Sequence, residues 1–234
     1  FDRIGANHDP EPIANNFDNQ GFIMTLADRS VRPVTKDFDP SLEGTPVWNA
    51  VDNKIYFIGE RGFFRDLYQL NPSDGKIVML GKENLQTVRG FSIGNREDRY
   101  AAYWGGSFTD DGVACLLNLK NGKSTLVDDP LKAWLGDTQF GKMEPWEFTA
   151  SDGTVVDGYM CLPPDFDANK KYPLIVYYYG GTSPSNASFY HLYSPQVFAS
   201  RDYVVYVLNP SGTTGYGQEY SARHVNAWGK RTAD

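Results

Sequence analysis

The apolar positions of this chain fall into short runs that are separated by turn residues. Runs of this length and composition predict β-strands of about five residues each. The predicted strands up to residue 127 cover 21–26, 31–34, 45–48, 54–58, 66–70, 76–80, 90–93, 100–104, 113–119 and 123–127. The dipeptides Asp74-Gly75 and Asn121-Gly122 each separate two apolar runs and predict tight hairpin turns.

The last eight of these predicted strands form two similar units of four. The two hairpin turns occupy matching positions, at a spacing of roughly 45 to 50 residues, which is typical of the blades of a β-propeller. A generic meander or a sandwich of hairpins is the alternative interpretation. Because two or three blades cannot close a ring, we expect an incomplete propeller.

The pattern changes near residue 140. Runs at 146–150 and 155–162 predict one long hairpin. The unbroken apolar run 174–179 is too short for a helix and predicts a central parallel strand buried on both faces. Ser194-Pro195 is typical of a helix start, with Ser as N-cap, and a second buried strand is predicted at 203–208. Strand, helix and strand together predict a parallel sheet, whose carboxyl edge is the expected position of an active site.

Composition and charge narrow the possible functions. Hydrophobic residues make up 41% of the chain, enough for a packed core, and the net charge of −7 argues against nucleic-acid binding. Cysteines 115 and 161 form no CxxC motif, and histidines 8, 191 and 224 lack metal-ligand spacing, so we expect neither metal nor cofactor. No apolar run is long enough to span a bilayer. The chain begins with Phe1, so we expect the native start to lie upstream and predict no compartment.

Three motifs carry a family resemblance: residues 160–166 (MCLPPDF), 171–181 (KYPLIVYYYGG) and 209–217 (NPSGTTGYG). They resemble the prolyl oligopeptidase family of serine peptidases, in particular its dipeptidyl aminopeptidase branch. In that family an open-ended propeller precedes and caps an α/β-hydrolase domain. The resemblance therefore implies a mixed fold, with the last two or three propeller blades over 1–140 and the first half of an α/β-hydrolase domain over 141–234.

The resemblance also implies a role for Tyr179, which ends the strand 174–179 just before Gly180 and Gly181. The family's oxyanion tyrosine occupies this place, where its hydroxyl donates to the negative charge that acyl transfer builds on the carbonyl oxygen. Loss of one such donor typically costs about 3–4 kcal/mol. The two glycines let the backbone approach a ligand closely. The alternative is that Tyr179 is a half-buried strand end, like Tyr177 and Tyr178.

The glycines between Gly212 and Gly217 follow the order G-x-x-G-x-G, which is not a dinucleotide-binding fingerprint. We expect this segment to line the active site and to pack against the turn that carries the nucleophile. Tyr216 either wedges into that site or packs in the core, and the sequence leaves both alternatives open.

The one G-x-S-x-G match of the chain, Gly90-Phe-Ser-Ile-Gly94, places its serine within the predicted strand 90–93 and not on the strand-to-helix turn that carries a hydrolase nucleophile; Ser107 lacks the closing glycine. In chain order the hydrolase triad would follow the strand at 203–208, so His191 and His224 are predicted to be surface or core residues. We therefore expect the nucleophile, acid and base to lie outside this chain, which would be an inactive fragment of a serine peptidase.

The expected parent enzyme hydrolyses short peptides through an acyl-enzyme, and its propeller restricts access to the site. A non-catalytic propeller binding module and an esterase on the same fold are the alternatives. The expected partners are a short peptide substrate and the missing half of the hydrolase domain. We also expect self-association through an exposed sheet edge, because unpaired strand edges recruit other chains.

Overall fold

The computed structural model describes residues 18–81, 85–97, 99–225 and 227 of the chain. The first described strands, β1 (Phe22–Met24) and β2 (Val31–Pro33), pair as an antiparallel hairpin, as the apolar runs predict. His8 and both outer ends of the predicted regions 1–140 and 141–234 lie outside the described residues. Within the part of the chain that is described, no helix has the length and apolar character that a membrane crossing requires.

The next eight strands form two antiparallel units of four strands each. The first unit consists of β3 (Ser41–Asn49), β4 (Lys54–Arg61), β5 (Phe64–Leu70) and β6 (Ile77–Leu80). The second consists of β7 (Thr87–Ile93), β8 (Tyr100–Gly106), β9 (Val113–Asn118) and β10 (Ser124–Asp128). A parallel pairing of Arg65 with Thr87 joins the two units through β5 and β7. The two predicted four-strand units are therefore present, while the number of blades in a complete propeller stays a prediction.

The two predicted hairpin turns have the same geometry. Gly75 and Gly122 adopt φ values of +74° and +73°, in the left-handed region that favours glycine. The amide of Gly75 donates to the Asn71 carbonyl at 2.9 Å, and the amide of Gly122 donates to the Asn118 carbonyl at 2.8 Å. The turns thus occupy equivalent places in the two units, as their spacing in the sequence predicts.

One apolar cluster spans both units and holds them together. It is built from buried side chains on β4, β5, β7, β8 and β9; its members include Ile58, Leu67, Val88, Ala101, Tyr103, Cys115 and Leu117. The aromatic and β-branched residues that favour strands therefore also supply the core between the units. Cys115 and Cys161 are both free and buried.

A separate four-stranded sheet follows. It contains β11 (Met143–Thr149), β12 (Val155–Cys161), β13 (Leu174–Tyr178) and β14 (Val204–Leu208), in the order β11-β12-β14-β13. The predicted hairpin forms β11 and β12, and β13 pairs with β14 in parallel, as predicted. Three short helices complete the described elements: α1 (Lys132–Leu135), α2 (Pro195–Ala199) and α3 (Gln218–Ala222). Because α2 connects β13 to β14, the predicted strand-helix-strand unit is present.

The burial predicted for the strand at 174–179 was wrong. Among the described residues β13 is an edge strand, paired only with β14, and its outer face exposes more than half of Leu174, Val176 and Tyr178. Only the face with Ile175 and Tyr177 packs on the core. By contrast β14 lies between two strands and residues 204–207 are buried, as predicted for 203–208. An apolar run alone does not distinguish a central strand from an edge strand.

The predicted helix start is correct and Ser194 occupies the N-cap position, as predicted, but it does not cap the helix through its side chain. Pro195 occupies the first turn of α2, whereas the side chain of Ser194 makes no capping hydrogen bond and the helix ends at Ala199. A buried side chain farther along anchors the helix. The side-chain oxygen of Gln196 accepts from the Gly141 amide at 2.7 Å, and its Nε2 donates to the Gly141 carbonyl at 3.0 Å. These bonds attach α2 to the segment that leads into β11.

Candidate active site

Tyr179 lies directly after β13, at the carboxyl edge of the parallel strand pair, and its side chain is 53% exposed. A Cβ added to Gly181 would come within 2.6 Å of the Tyr179 ring, so the missing side chain at 181 makes room for that ring. A Cβ added to Gly180 would meet no atom within 4 Å. The structure therefore places the three residues together, with the phenol on the surface where the parallel strands end.

The loop that follows Tyr179 is fixed against the two four-strand units β3–β6 and β7–β10, which are called the propeller units below. The Ala187 amide donates to the Phe63 carbonyl at 2.7 Å, and the Thr87 hydroxyl donates to the Ala187 carbonyl at 2.6 Å. On its other side, the Ser185 amide donates to Asn209 Oδ1 at 2.7 Å. The loop after β13 is thus tied both to the propeller and to the loop after β14.

The segment from Gly212 to Gly217 packs on the turn between β4 and β5. The Gly62 amide donates to the Gly215 carbonyl at 3.0 Å, and a Cβ at Gly215 would lie 2.8 Å from the Glu60 carbonyl oxygen. Gly215 also has a φ of +85°, so both its conformation and the close backbone contact require glycine. Among the described residues, this segment therefore contacts the propeller units at the turn between β4 and β5.

Tyr216, which belongs to this segment, is held by a network of polar side chains. Its hydroxyl donates to Asp157 Oδ1 at 2.5 Å and accepts from Asn209 Nδ2 at 2.9 Å. Its ring packs on Tyr220 at a centroid distance of 4.9 Å. Burial and the neighbouring Asp157 carboxylate raise the pKa of Tyr216 well above its usual range. Burial also raises the pKa of Asp157, which the hydrogen bond from Tyr216 opposes. These contacts favour packing over the wedge alternative, while a site-lining role of Tyr216 stays a prediction.

A buried carboxylate that the sequence analysis missed connects both loops to the propeller. The Glu60 side chain is only 3% exposed and accepts from Arg65 Nη2 at 2.7 Å and Nε at 2.9 Å. Asn186 Nδ2 donates to the same carboxylate oxygen at 3.3 Å, and the Thr214 hydroxyl lies 3.2 Å from the other. Asn186 belongs to the loop after β13 and Thr214 to the loop after β14. Nothing in the local sequence of Glu60 predicts this, because its partners are 126 and 154 residues away.

The two described histidines contact neighbouring residues, and their exclusion from the catalytic triad stays a prediction. His191 packs edge-to-face on Tyr177 at a centroid distance of 4.7 Å, and its Nδ1 accepts from the Tyr193 amide at 3.2 Å. Burial lowers the pKa of His191. His224 Nδ1 contacts the Ser221 carbonyl oxygen. Both rings therefore interact with their local surroundings.

Comparison with known proteins gives these features a context. Residues 188–234 match the sequence profile of the prolyl oligopeptidase family. Dipeptidyl-peptidase 5 of Aspergillus fumigatus is 28% identical over 187 residues, which are 67% of this chain and 25% of that protein. Dipeptidyl-peptidase 5 of Porphyromonas gingivalis is 27% identical over 210 residues, 89% of this chain and 30% of that protein. The chain is related to the prolyl oligopeptidase family. The resemblance predicted from the sequence motifs is thereby confirmed.

Solved structures agree at the level of the fold. The acylaminoacyl peptidase of Pyrococcus horikoshii matches with a TM-score of 0.71 and 20% identity, over 91% of this chain and 31% of that one. Dipeptidyl peptidase 4 of Porphyromonas gingivalis matches with a TM-score of 0.67 and 18% identity, over 86% and 29%. The mixed fold is that of peptidases with a propeller and an α/β-hydrolase domain. The chain spans about a quarter to a third of the length of these family members.

Proposed function

We propose that this chain contributes to a serine peptidase that hydrolyses short peptides through an acyl-enzyme, of the dipeptidyl or oligopeptidyl aminopeptidase type. The support for this reaction class is the similarity to dipeptidyl-peptidase 5 proteins over up to 89% of the chain. The propeller units would restrict access, so that short peptides reach the site. The substrate class is the one that the names of these relatives indicate, and it is part of the proposal.

Tyr179 is the residue proposed to act in catalysis, as the donor to the oxyanion. The observation that carries this proposal is its position: an exposed phenol directly after a parallel strand, with its ring over Gly181. Active sites of open α/β sheets lie at this edge. A preorganised donor stabilises the negative charge of the tetrahedral intermediate more than the neutral carbonyl, and so lowers the barrier. The loop anchors at Ser185 and Ala187 would limit movement of the segment that follows.

The nucleophile, the acid and the base are not assigned to any residue of this chain. The one serine in a G-x-S-x-G match, Ser92, lies in β7 and pairs with Ala102 in an antiparallel ladder, not on the strand-to-helix turn that a hydrolase nucleophile requires. We propose that these groups belong to a part of the protein outside this chain of 234 residues, and that the chain by itself does not turn over substrate. Cleavage by the purified chain that a serine-directed inhibitor abolishes would contradict this part of the proposal.

The experiment that tests the role of Tyr179 compares two tyrosines in the intact protein. Tyr178 and Tyr179 are each 53% exposed, but Tyr178 belongs to β13 and precedes the site. We expect Tyr179→Phe to lower kcat on a dipeptidyl amide by about 10²–10³-fold, the usual cost of one lost oxyanion donor, without changing the unfolding midpoint. Tyr178→Phe should leave kcat within about twofold. Equal kcat in the two variants would refute the assignment.

The two glycines provide a second, independent test. Gly181→Ala should displace the Tyr179 ring, because the new Cβ would approach it to 2.6 Å, and should lower kcat. A Cβ at Gly180 would meet no protein atom, so Gly180→Ala should leave the Tyr179 ring in place and is the control for the position of that ring. A panel of dipeptidyl amides and simple esters then separates a peptidase from an esterase. Binding of peptides without turnover of either would favour the non-catalytic module.

A further inference from the structure

An open cleft of about 430 Å³ lies between the propeller units and the loop that follows β13. Its walls include Arg65 and Arg89 from the propeller, and Ser185, Asn186 and Ser188 from the loop. A cleft of this volume is large enough for a small peptide fragment. It starts a few residues after Tyr179 along the chain, and its His191 packs on Tyr177.

Two guanidinium groups enter this cleft in fixed orientations. Arg89 Nη1 lies 2.7 Å from Asp111 Oδ1 and 3.0 Å from Oδ2, while its Nη2 donates to the Ser188 hydroxyl at 3.0 Å. Arg65 is held by Glu60 through Nε and Nη2. Neither carboxylate lines the cleft, and the arginine side chains keep 26% and 31% of their surface exposed. Each guanidinium has five donors, so these pairs orient the groups and leave further donors for a ligand.

Two buried polar atoms of the loop have no hydrogen-bond partner within the described part of the chain. Ser185 is 4% exposed and its hydroxyl is unpaired, and the side-chain oxygen of Asn186 is buried and unpaired as well. Buried polar groups are nearly always hydrogen-bonded, so each of these two atoms has room for a partner that the described residues do not supply, such as a ligand group or an ordered water. The hydroxyl can donate to an anion, and the amide oxygen can accept a peptide N–H.

We propose that this cleft binds a carboxylate of a short peptide, through charge-assisted hydrogen bonds from Arg65 and Arg89 and a hydrogen bond from the Ser185 hydroxyl. Asn186 Oδ1 accepts from the peptide backbone. Arginine suits this task because its planar fork matches the two oxygens of a carboxylate. The carboxylate is either the α-carboxylate or an acidic side chain, since both present the same group. The proposal rests on the proposed function in so far as the bound peptide is taken to be a substrate or a product.

Binding to the intact protein tests the site without requiring turnover. The three probes are Ala-Ala as the free acid, Ala-Ala as its C-terminal amide, and a C-terminally amidated dipeptide that contains glutamate. The affinity of each probe is measured by calorimetry, and mass spectrometry checks that the probe stays intact. We expect the free acid to bind at least about tenfold more tightly than the alanine amide, the size of one charge-assisted hydrogen bond. If the glutamate amide binds at least about tenfold more tightly than the alanine amide, and equals or exceeds the free acid, the side-chain carboxylate is the ligand. Equal binding of all three probes would overturn the proposal.

Matched variants locate the effect. Arg89→Gln should weaken binding of the acid about tenfold. Arg61→Gln is the control, because Arg61 is also paired with a carboxylate, Asp66, but lies outside the cleft lining. Ser185→Ala removes a hydroxyl that pairs with no described residue, so it should fold normally and still weaken the acid selectively. Loss of acid preference in Arg61→Gln, or its retention in both Arg89→Gln and Ser185→Ala, would refute the assignment.

The same samples separate this site from the proposed enzymatic function. Tyr179-dependent turnover without any preference for the acid probe would overturn only the carboxylate site. Acid preference that Arg89 and Ser185 control, in a protein whose Tyr179→Phe variant keeps its kcat, would overturn only the catalytic proposal.

Discussion

Replacing Glu60 by glutamine tests whether the buried carboxylate holds the two loops against the propeller. The change keeps the shape of the side chain but removes the charge that faces Arg65, whose Nη2 lies 2.7 Å away. Removing one partner of a buried ion pair typically destabilises a protein by about 3–5 kcal/mol. Because the Arg65 side chain is 31% exposed, water can partly solvate it after the change, and we expect the lower end, about 3 kcal/mol.

A loss of this size is measurable by thermal and urea unfolding. For a chain of this length, about 3 kcal/mol corresponds to a fall of the midpoint by about 6–12 °C. Hydrogen exchange should also increase at the amides of Ala187 and Gly62, which bridge the propeller and the two loops. These amides report on the contacts that Glu60 is inferred to support.

The control is Glu43→Gln, which removes the same charge near the same arginine. Glu43 lies 3.8 Å from Arg65 and its side chain is 33% exposed, so this pair should contribute less than about 1 kcal/mol. If Glu43→Gln destabilised the protein as much as Glu60→Gln, net charge rather than the buried contact would be responsible. A loss below about 1 kcal/mol for Glu60→Gln would equally refute the reasoning.

Two further predictions concern the hydrolase-like sheet. Tyr216→Phe removes the hydrogen bond that lowers the pKa of Asp157, so the folded state of the variant should retain the Asp157 proton to higher pH than the unfolded state does. The free energy of unfolding should therefore fall more steeply than in the unmodified protein as pH rises above the usual Asp pKa of 3.8. Urea unfolding at several pH values measures this. Tyr206→Phe, which removes a buried hydroxyl without a described partner, should be neutral or slightly stabilising, and an equal effect of both changes would contradict the network. Because β13 is an edge strand of the described sheet and its outer face is exposed, we expect the chain to self-associate. Val176→Lys on that face should reduce the self-association, whereas Val197→Lys on α2 should not. Sedimentation of the unmodified chain as a clean monomer would count against this prediction.

The strands and turns of this fold could largely be predicted from the sequence. Local signals were sufficient there, as at Gly75 and Gly122, where a left-handed turn requires glycine. The position of Tyr179 at the end of a parallel strand also followed from one apolar run and one resemblance. These features depend on residues that are close together in the chain.

The burial of β13 and the contacts of Glu60 could not be predicted in this way. Whether a strand is central or at an edge depends on which other strands pair with it, and the apolar run of β13 carries no such information. Glu60 lies between Gly59 and Arg61, where a solvent-exposed carboxylate would be expected, and its partners Asn186 and Thr214 are brought to it only by the docking of two sheets. The cleft with Arg89 and Ser185 depends on the same docking.

The ring of Tyr159 on β12 touches aromatic rings from the propeller side at centroid distances of 5.0 Å to Phe63 and 5.1 Å to Phe108. These rings belong to one buried cluster that also contains Cys161 and Val205. Separating the propeller units from the hydrolase-like sheet would expose this shared hydrophobic cluster to water. We therefore expect the hydrolase-like sheet and the propeller units to unfold together, in a single cooperative transition with one thermal midpoint.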